Sequence, residues 1–165
     1  MASMPHQYRG QDFSLLRDKG RFVLPSRFRK TIKDSSGGRP VLCLLHHNRW
    51  PCISGFGLSV ADNFGELLDR EEAQAERKGA DYDRELRATQ LNSVIEIPFD
   101  DSGRFVLPGY LAELGAIDDQ IYFQGAGEML QLWSPAELAC MGPGWENPQA
   151  ACRQLAAEAV ARGGK

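Results

Sequence analysis

At 165 residues, 42% apolar and 25% charged, the chain has the size and composition of one compact domain, or two small ones sharing a core, and not those of a disordered polymer. Its net charge of −3, from 19 Lys and Arg against 22 Asp and Glu, excludes a uniformly basic nucleic-acid binder but leaves room for a local basic patch. No run of 18 uncharged apolar residues occurs, residues 1–9 lack the apolar centre of a signal peptide, and four cysteines without a Cys-x-x-Cys pair make no disulfide framework. A reduced cytoplasmic protein with no membrane contact is therefore expected.

The first elements come twice. Gly20-Arg21-Phe22-Val23-Leu24-Pro25 recurs as Gly103-Arg104-Phe105-Val106-Leu107-Pro108, an offset of 83 residues, and six consecutive identities indicate a tandem duplication. In the first copy, strands are expected at 12–17 and 22–24 and a half-helix at 26–33. In the second they fall at 94–99, 105–107 and 109–114. Pro25 and Pro108 cannot donate to a sheet ladder, so each ends a strand and opens a helix. A second pair of strands follows in each copy, at 41–45 and near Cys52-Ile53, then at 121–124 and 129–133 with Gly125-Ala126-Gly127 as the turn.

Between the copies, Ser59 is expected to cap a helix whose Val60, Phe64, Leu67 and Leu68 form one apolar stripe. Gly79 should separate it from a second helix over 81–92, where Tyr82 and Leu86 stand four apart. After the second copy, Ser134-Pro135-Ala136-Glu137 reads as a capped helix start, and Asn147-Pro148 introduces an Ala-rich helix over 149–162. Residues 163–165 should fray. The expected organisation is a repeat at 11–56, a helical connector at 57–92, a second repeat at 93–136 and a helical tail at 137–165.

The chemistry of the repeat lies in its turn. Glycine supplies a positive φ, and the arginine beside it leaves the turn exposed and cationic, able to hold two phosphate oxygens or a guanine edge. Around the first turn, Arg17, Lys19, Arg21, Arg27, Arg29, Lys30 and Lys33 outnumber Asp18 and Asp34 seven to two. With Phe28 and Ile32 turned to the core, Arg27, Arg29, Lys30 and Lys33 are left for the solvent side. Near the second turn Arg104 stands against Glu96, Asp100, Asp101, Glu113, Asp118 and Asp119. A scaffold needs the glycine and the apolar residues twice; it does not need the arginine twice, and that repetition points to a polyanion.

Other chemistry finds little support. Cys43, His46, His47 and Cys52 are metal-ligand types within ten residues, but they lack the paired spacing of structural zinc sites, and Cys43 and His46 fall on opposite faces of a strand. Core thiols and an exposed histidine are expected there, with no metal and no cofactor. There is no Gly-x-Ser-x-Gly, and Ser36-Gly37-Gly38-Arg39 lacks the Lys-Ser/Thr ending of a phosphate loop, so no enzyme and no small-molecule substrate are expected.

Tyr8-Arg9-Gly10, Asp18-Lys19-Gly20-Arg21-Phe22-Val23-Leu24-Pro25-Ser26-Arg27-Phe28-Arg29 and Asp100-Asp101-Ser102-Gly103-Arg104-Phe105-Val106-Leu107-Pro108 together resemble the MraZ family, whose members carry two AbrB/SpoVT-type repeats. The resemblance runs from about Tyr8 to Glu137. It implies a mainly β, α+β fold in which swapped hairpins form a pseudo-dimeric β-barrel. It also implies a transcriptional regulator that binds double-stranded DNA at the promoter of the division and cell-wall gene cluster, associates with the nucleoid and forms ring-like homo-oligomers matching direct repeats in the DNA. Carried onto this chain, the DNA-facing loop residues are Arg21 and Arg104, with Lys19 beside the first; Arg17, Arg27 and Arg29 are added on charge alone. Two departures stand out. The family's Asp four residues before the motif arginine is Arg17 in the first copy but Asp100 in the second, and the Gly-rich segment Trp50 to Phe56 matches the family pattern poorly. A reading of a different class is an interaction scaffold that keeps the repeats without DNA and binds a protein through Trp145, Leu155 and Val160 of the tail.

Overall fold

Eight strands and seven helices fill residues 6–163, the part of the chain that the computed structural model describes. Strands β1 (Gln11–Leu15), β7 (Gln120–Gly125), β8 (Leu130–Trp133), β4 (Ile53–Phe56), β3 (Val41–His46) and β5 (Ile95–Pro98) hydrogen-bond in that order, every pair antiparallel. β2 (Phe22–Val23) and β6 (Arg104–Phe105) form a separate two-stranded ladder. The pairing is an exchange between copies. β1 of the first repeat lies on β7 of the second, β5 of the second lies on β3 of the first, and β2 meets β6. The fold is thus α+β, mainly strands with helices outside, and neither repeat completes its own sheet. Among the described residues no ladder joins β1 to β5, the two ends of the six-stranded order.

Alternation along the strands gives the sheet two covered faces. Leu42, Leu44, Ile53, Phe123 and Leu132 point to one side, where β2, β6, α1 (Ser26–Ser35) and α5 (Gly109–Leu114) close over them with Phe22, Phe28, Ile32, Phe105 and Leu111. On the other side, Cys43, Leu45 and Phe56 lie under α2 (Leu58–Asp62), α3 (Phe64–Lys78) and α4 (Arg84–Leu91). Cys52, Tyr122 and Trp133 lie on that same side, under α6 (Pro135–Ala139) and α7 (Glu146–Gly163). The central strands β3, β4, β7 and β8 are therefore covered on both faces, once by the inter-repeat core and once by a helical buttress.

Several local expectations change once tertiary partners are present. Ser59 does not cap: it lies inside α2, and its Oγ shares a 2.6 Å hydrogen bond with Ser35 Oγ. The free amides at the start of α2 are met from elsewhere in the fold, Leu58 N–H donating to Ser36 Oγ (3.0 Å) and Gly57 N–H to the Tyr8 hydroxyl (3.2 Å). Ser134 occupies the N-cap of α6 but accepts no bond through its side chain. α7 starts at Glu146, before the Asn-Pro pair, with Glu146 Oε2 accepting from Gly144 N–H at 2.8 Å. Leu86 is exposed on α4, whereas Gly79 ends α3 in the left-handed region (φ 65°) as its sequence position requires. The Gly-rich segment after Trp50 forms a regular strand, fully buried from Ile53 to Phe56. Trp145 and Leu155, which the scaffold reading offers to a partner, pack internally on Trp133 and its neighbours; of that trio only Val160 is exposed. Gly163 ends α7, and Gly164 and Lys165 lie outside the described residues.

Phe105 is the side chain through which β6 holds the inter-repeat core. Phe105→Ala is expected to lower unfolding free energy by about 3–5 kcal/mol in urea titrations, whereas Leu86→Ala, on an exposed helix face, stays within about 0.5 kcal/mol of wild type.

Candidate nucleic-acid interface

The two copies of the motif turn differently. In the first, Lys19 (φ 62°) and Gly20 (φ 66°) both adopt left-handed conformations, and Arg17 N–H donates to the Arg21 carbonyl at 2.7 Å to close the turn. Arg21 Nε makes only a long 3.4 Å bond to the Asp18 carbonyl. In the second, Gly103 alone is left-handed (φ 84°), and the Asp100 carboxylate organises the turn. Its Oδ1 accepts from Ser102 N–H (3.0 Å) and Arg104 N–H (2.9 Å), and its Oδ2 pairs with Arg104 Nε at 2.6 Å. The Arg104 backbone N–H above all, joined by its guanidinium and the Ser102 N–H, holds the Asp100 carboxyl below its usual pKa against the opposing effect of desolvation. The departure at Arg17 thus has a structural consequence: where Asp is replaced, the turn is rebuilt with a second left-handed residue.

The β2–β6 ladder relates the two arginines. Its register places Phe22 opposite Phe105 and Val23 opposite Arg104. Phe22 and Phe105 point inward, 3% and 1% exposed, with ring centroids 6.3 Å apart. Alternation then sends Val23, Arg104 and, one residue beyond each strand, Arg21 and Val106 to the outer face. Arg21 and Arg104 fall on a diagonal of that face, roughly 7–8 Å apart at the backbone. The turns themselves lie at opposite ends of the ladder, because the strands run antiparallel.

The other cations take varied positions. Lys19 and Arg17 are exposed beside the first turn. Arg27, half exposed, lies 3.7 Å from Asp12. Lys30 pairs with Asp34 along α1. Arg29 is turned into the protein: its Nε donates to the Leu24 carbonyl at 2.8 Å and its Nη1 to the Asp101 carbonyl at 3.2 Å, so a side chain of the first repeat grips the turn of the second. Charge counting had missed that role, and no sequence signal marks the capture of a backbone carbonyl. Asp100 was detectable as the Asp four residues before Arg104.

The metal-ligand types near residues 43–52 are dispersed. Cys43 and Cys52 are buried in different clusters, His46 is exposed, and among the described residues no three potential ligands converge. His47 stacks on Trp50 at 4.8 Å, and its Nδ1 accepts from the backbone N–H groups of Arg49 (3.0 Å) and Trp50 (3.2 Å). Burial, aided by the charge of Arg87, lowers its pKa to about 4 and keeps it neutral.

No family model matches the chain. Curated relatives do. A protein of Parvibaculum lavamentivorans is 28% identical over 134 residues, 81% of this chain and 80% of that protein. One from Gluconobacter oxydans is 29% identical over 122 residues, 73% and 71% of the two chains. One from Pseudomonas syringae pv. syringae is 27% identical over 135 residues, 76% and 79%. The fold and the doubled turn define the class, an α+β protein of two repeats that exchange strands. Each of these relatives is named transcriptional regulator MraZ, and the chain is similar to them over about three quarters of its length or more. No described helix is long and apolar enough to cross a membrane.

Two titrations check the electrostatics. Because the Asp100 carboxyl is held low, the stability it contributes is complete above the ordinary carboxylate range near ~3.9 and is lost as pH falls through its own lower pKa. The carboxyl carbon resonance of Asp100 should therefore titrate below the usual midpoint, and in Arg104→Ala, which keeps the backbone donor, the midpoint should rise only part of the way back. His47 behaves in the complementary sense: the unfolded chain takes its proton near 6.5 and the folded one near 4, so stability should fall as pH drops between those values. Thermal melts of His47→Asn, which retains an acceptor, should lack that slope.

Proposed function

We propose that the chain is a sequence-specific DNA-binding transcriptional regulator acting at the promoter of the division and cell-wall gene cluster, in the cytoplasm and associated with the nucleoid. The observation that carries this reading is the shared outer face of the β2–β6 ladder, on which Arg21 and Arg104 stand together. Lys19 and Arg17 extend the cationic surface at the first turn, and Arg27 borders it on α1. The repeats at 11–56 and 93–136 serve as the binding halves; the connector at 57–92 and the tail at 137–165 act as buttresses. The name of the relatives supports a role in transcription. Nothing in this role calls for catalysis, a cofactor or a small-molecule substrate.

Two arginine turns on one subunit neutralise few phosphates, and each adds only about 0.9 to the salt slope, so a single subunit binds weakly. A ring-like homo-oligomer meeting direct repeats in the promoter supplies the avidity, which can reach ~10² to 10⁴. Self-association has an apolar surface available to it. Tyr110 and Leu114, one turn apart on α5, are exposed together with Val106, at positions where the first repeat carries Arg27, Thr31 and Val23. Tyr110→Glu should shift the species seen in sedimentation toward fewer subunits without loss of helicity; an unchanged distribution would remove this surface from the assembly.

The decisive measurement is a binding titration on the duplex upstream of the protein's own gene at several salt concentrations. Arg21→Ala should weaken binding and reduce the salt slope by about one. Unchanged affinity and slope in that variant would defeat the reading.

A further inference from the structure

The two arginine turns are built for different tasks. At the first, Arg17, Lys19 and Arg21 stand around a single Asp18, whose carbonyl rather than carboxylate meets Arg21, and open space surrounds Gly20. The result is a net-positive tip whose guanidinium is held by one long bond to a carbonyl and by no carboxylate. At the second, Asp100 and Asp101 are balanced by Arg104 and by the Arg29 guanidinium held beneath the turn, so the tip carries little net charge. General attraction to a polyanion is weak there, and any contact must come from aimed hydrogen bonds.

The second turn is held so as to aim them. Asp100 fixes both the backbone N–H and the Nε of Arg104, leaving the two terminal nitrogens without a partner among the described residues. Those nitrogens form the edge that donates in parallel to guanine O6 and N7. Beneath the turn, Leu24 N–H donates to the Gly103 carbonyl at 2.7 Å, and Arg29 bridges the Leu24 and Asp101 carbonyls. Packing there is close: a Cβ on Gly103 would come within 2.5 Å of the Leu24 oxygen and 2.7 Å of Arg29 Nε.

We infer that the two turns divide recognition between them, the Arg21 turn acting as a sequence-independent phosphate anchor and the Arg104 turn as the element that reads base edges, with Asp100 and Arg29 as its positioning residues. This rests on the DNA-binding reading above. A guanidinium already paired with a carboxylate contributes little net charge to counterion release, but its preset geometry lets it discriminate between bases. A guanidinium without a fixed partner does the reverse.

The test compares the promoter duplex with a scrambled duplex of equal length and composition across a salt series, with the melting temperature of every variant recorded. Arg21→Ala should weaken both duplexes alike and lower both salt slopes by about 0.9, leaving their affinity ratio unchanged. The double variant Asp100→Asn/Arg104→Ala, which removes the pair without changing the net charge, should leave the slopes unchanged and cut the ratio by about 5- to 150-fold, and Arg104→Ala should cut the ratio as far. Arg29→Lys keeps the charge but cannot span two carbonyls, so it should lower the ratio without moving the slope. Asp100→Asn should strengthen binding to the scrambled duplex and raise its slope while the ratio falls. If wild type prefers the promoter but Arg21→Ala and the charge-neutral Asp100→Asn/Arg104→Ala change slope and ratio in the same way, the division of labour is overturned and DNA binding stands. If wild type binds neither duplex, the DNA reading fails and takes this inference with it.

Discussion

Phe22 and Phe105 face each other beneath a ladder only two residues long, and the rest of the molecule is arranged around that contact. A two-residue ladder has little stability of its own. It persists because both rings are buried against α1, α5 and the large sheet. Since side chains alternate, burying these two rings forces their neighbours out, and the neighbours are Arg21, Val23, Arg104 and Val106. A slip of one residue in either strand would put an arginine into the core and a phenylalanine into water, so the apolar pattern that holds the repeats together also fixes the cationic face.

That face belongs to a chain with a net negative charge, and the two facts are compatible at physiological ionic strength. Charges separated by more than about 8–10 Å through solvent are largely screened. Acidic groups on α3, such as Asp69, Glu71 and Glu72, are moreover paired with Arg84 and Arg87 of α4. These pairs join the two long helices of the connector to each other. What a polyanion meets near the ladder is set by the local balance, positive at the first turn and close to neutral at the second, where Arg29 and Arg104 face Asp100 and Asp101.

Much of this was legible in the sequence, for a definable reason. The repeated Gly-Arg-Phe-Val-Leu-Pro gives the strand, turn and helix of each copy, α5 ends where its apolar spacing ends, and Gly79 breaks the connector, because each of these depends on residues within one turn or one strand. What depends on distant partners was hidden. Alternation is satisfied equally by strands paired within a copy or between copies, so the exchange of β1 and β5 leaves no local trace. Tyr8 and Ser36 replace Ser59 as partners for the amides of α2, and Trp145 folds back on Trp133 instead of facing outward. At the site, Arg21 and Arg104 could be read from the turn chemistry. Arg29 could not, because an arginine that grips carbonyls has the same composition as one that faces solvent.

Duplication within one chain removes a restriction that a symmetric dimer would impose. In a dimer of identical subunits, an Asp that organises the turn of one copy must appear in both, and an arginine that clamps a partner's turn must be clamped against in return. Here the copies diverge position by position: Arg17 against Asp100, Arg27 against Tyr110, Arg29 against Ala112, Lys30 against Glu113. All four pairs differ in the same direction, removing positive charge from the second repeat. Three of these differences are buttressed by geometry: the Asp100–Arg104 pair, the Arg29 bridge and the exposed Tyr110. The conserved interior, Phe22 with Phe105 and Phe28 with Leu111, allows this, since the core needs both copies alike while the outer face does not. One scaffold can then hold a diffuse cationic tip and a fixed, aimed one on a single surface.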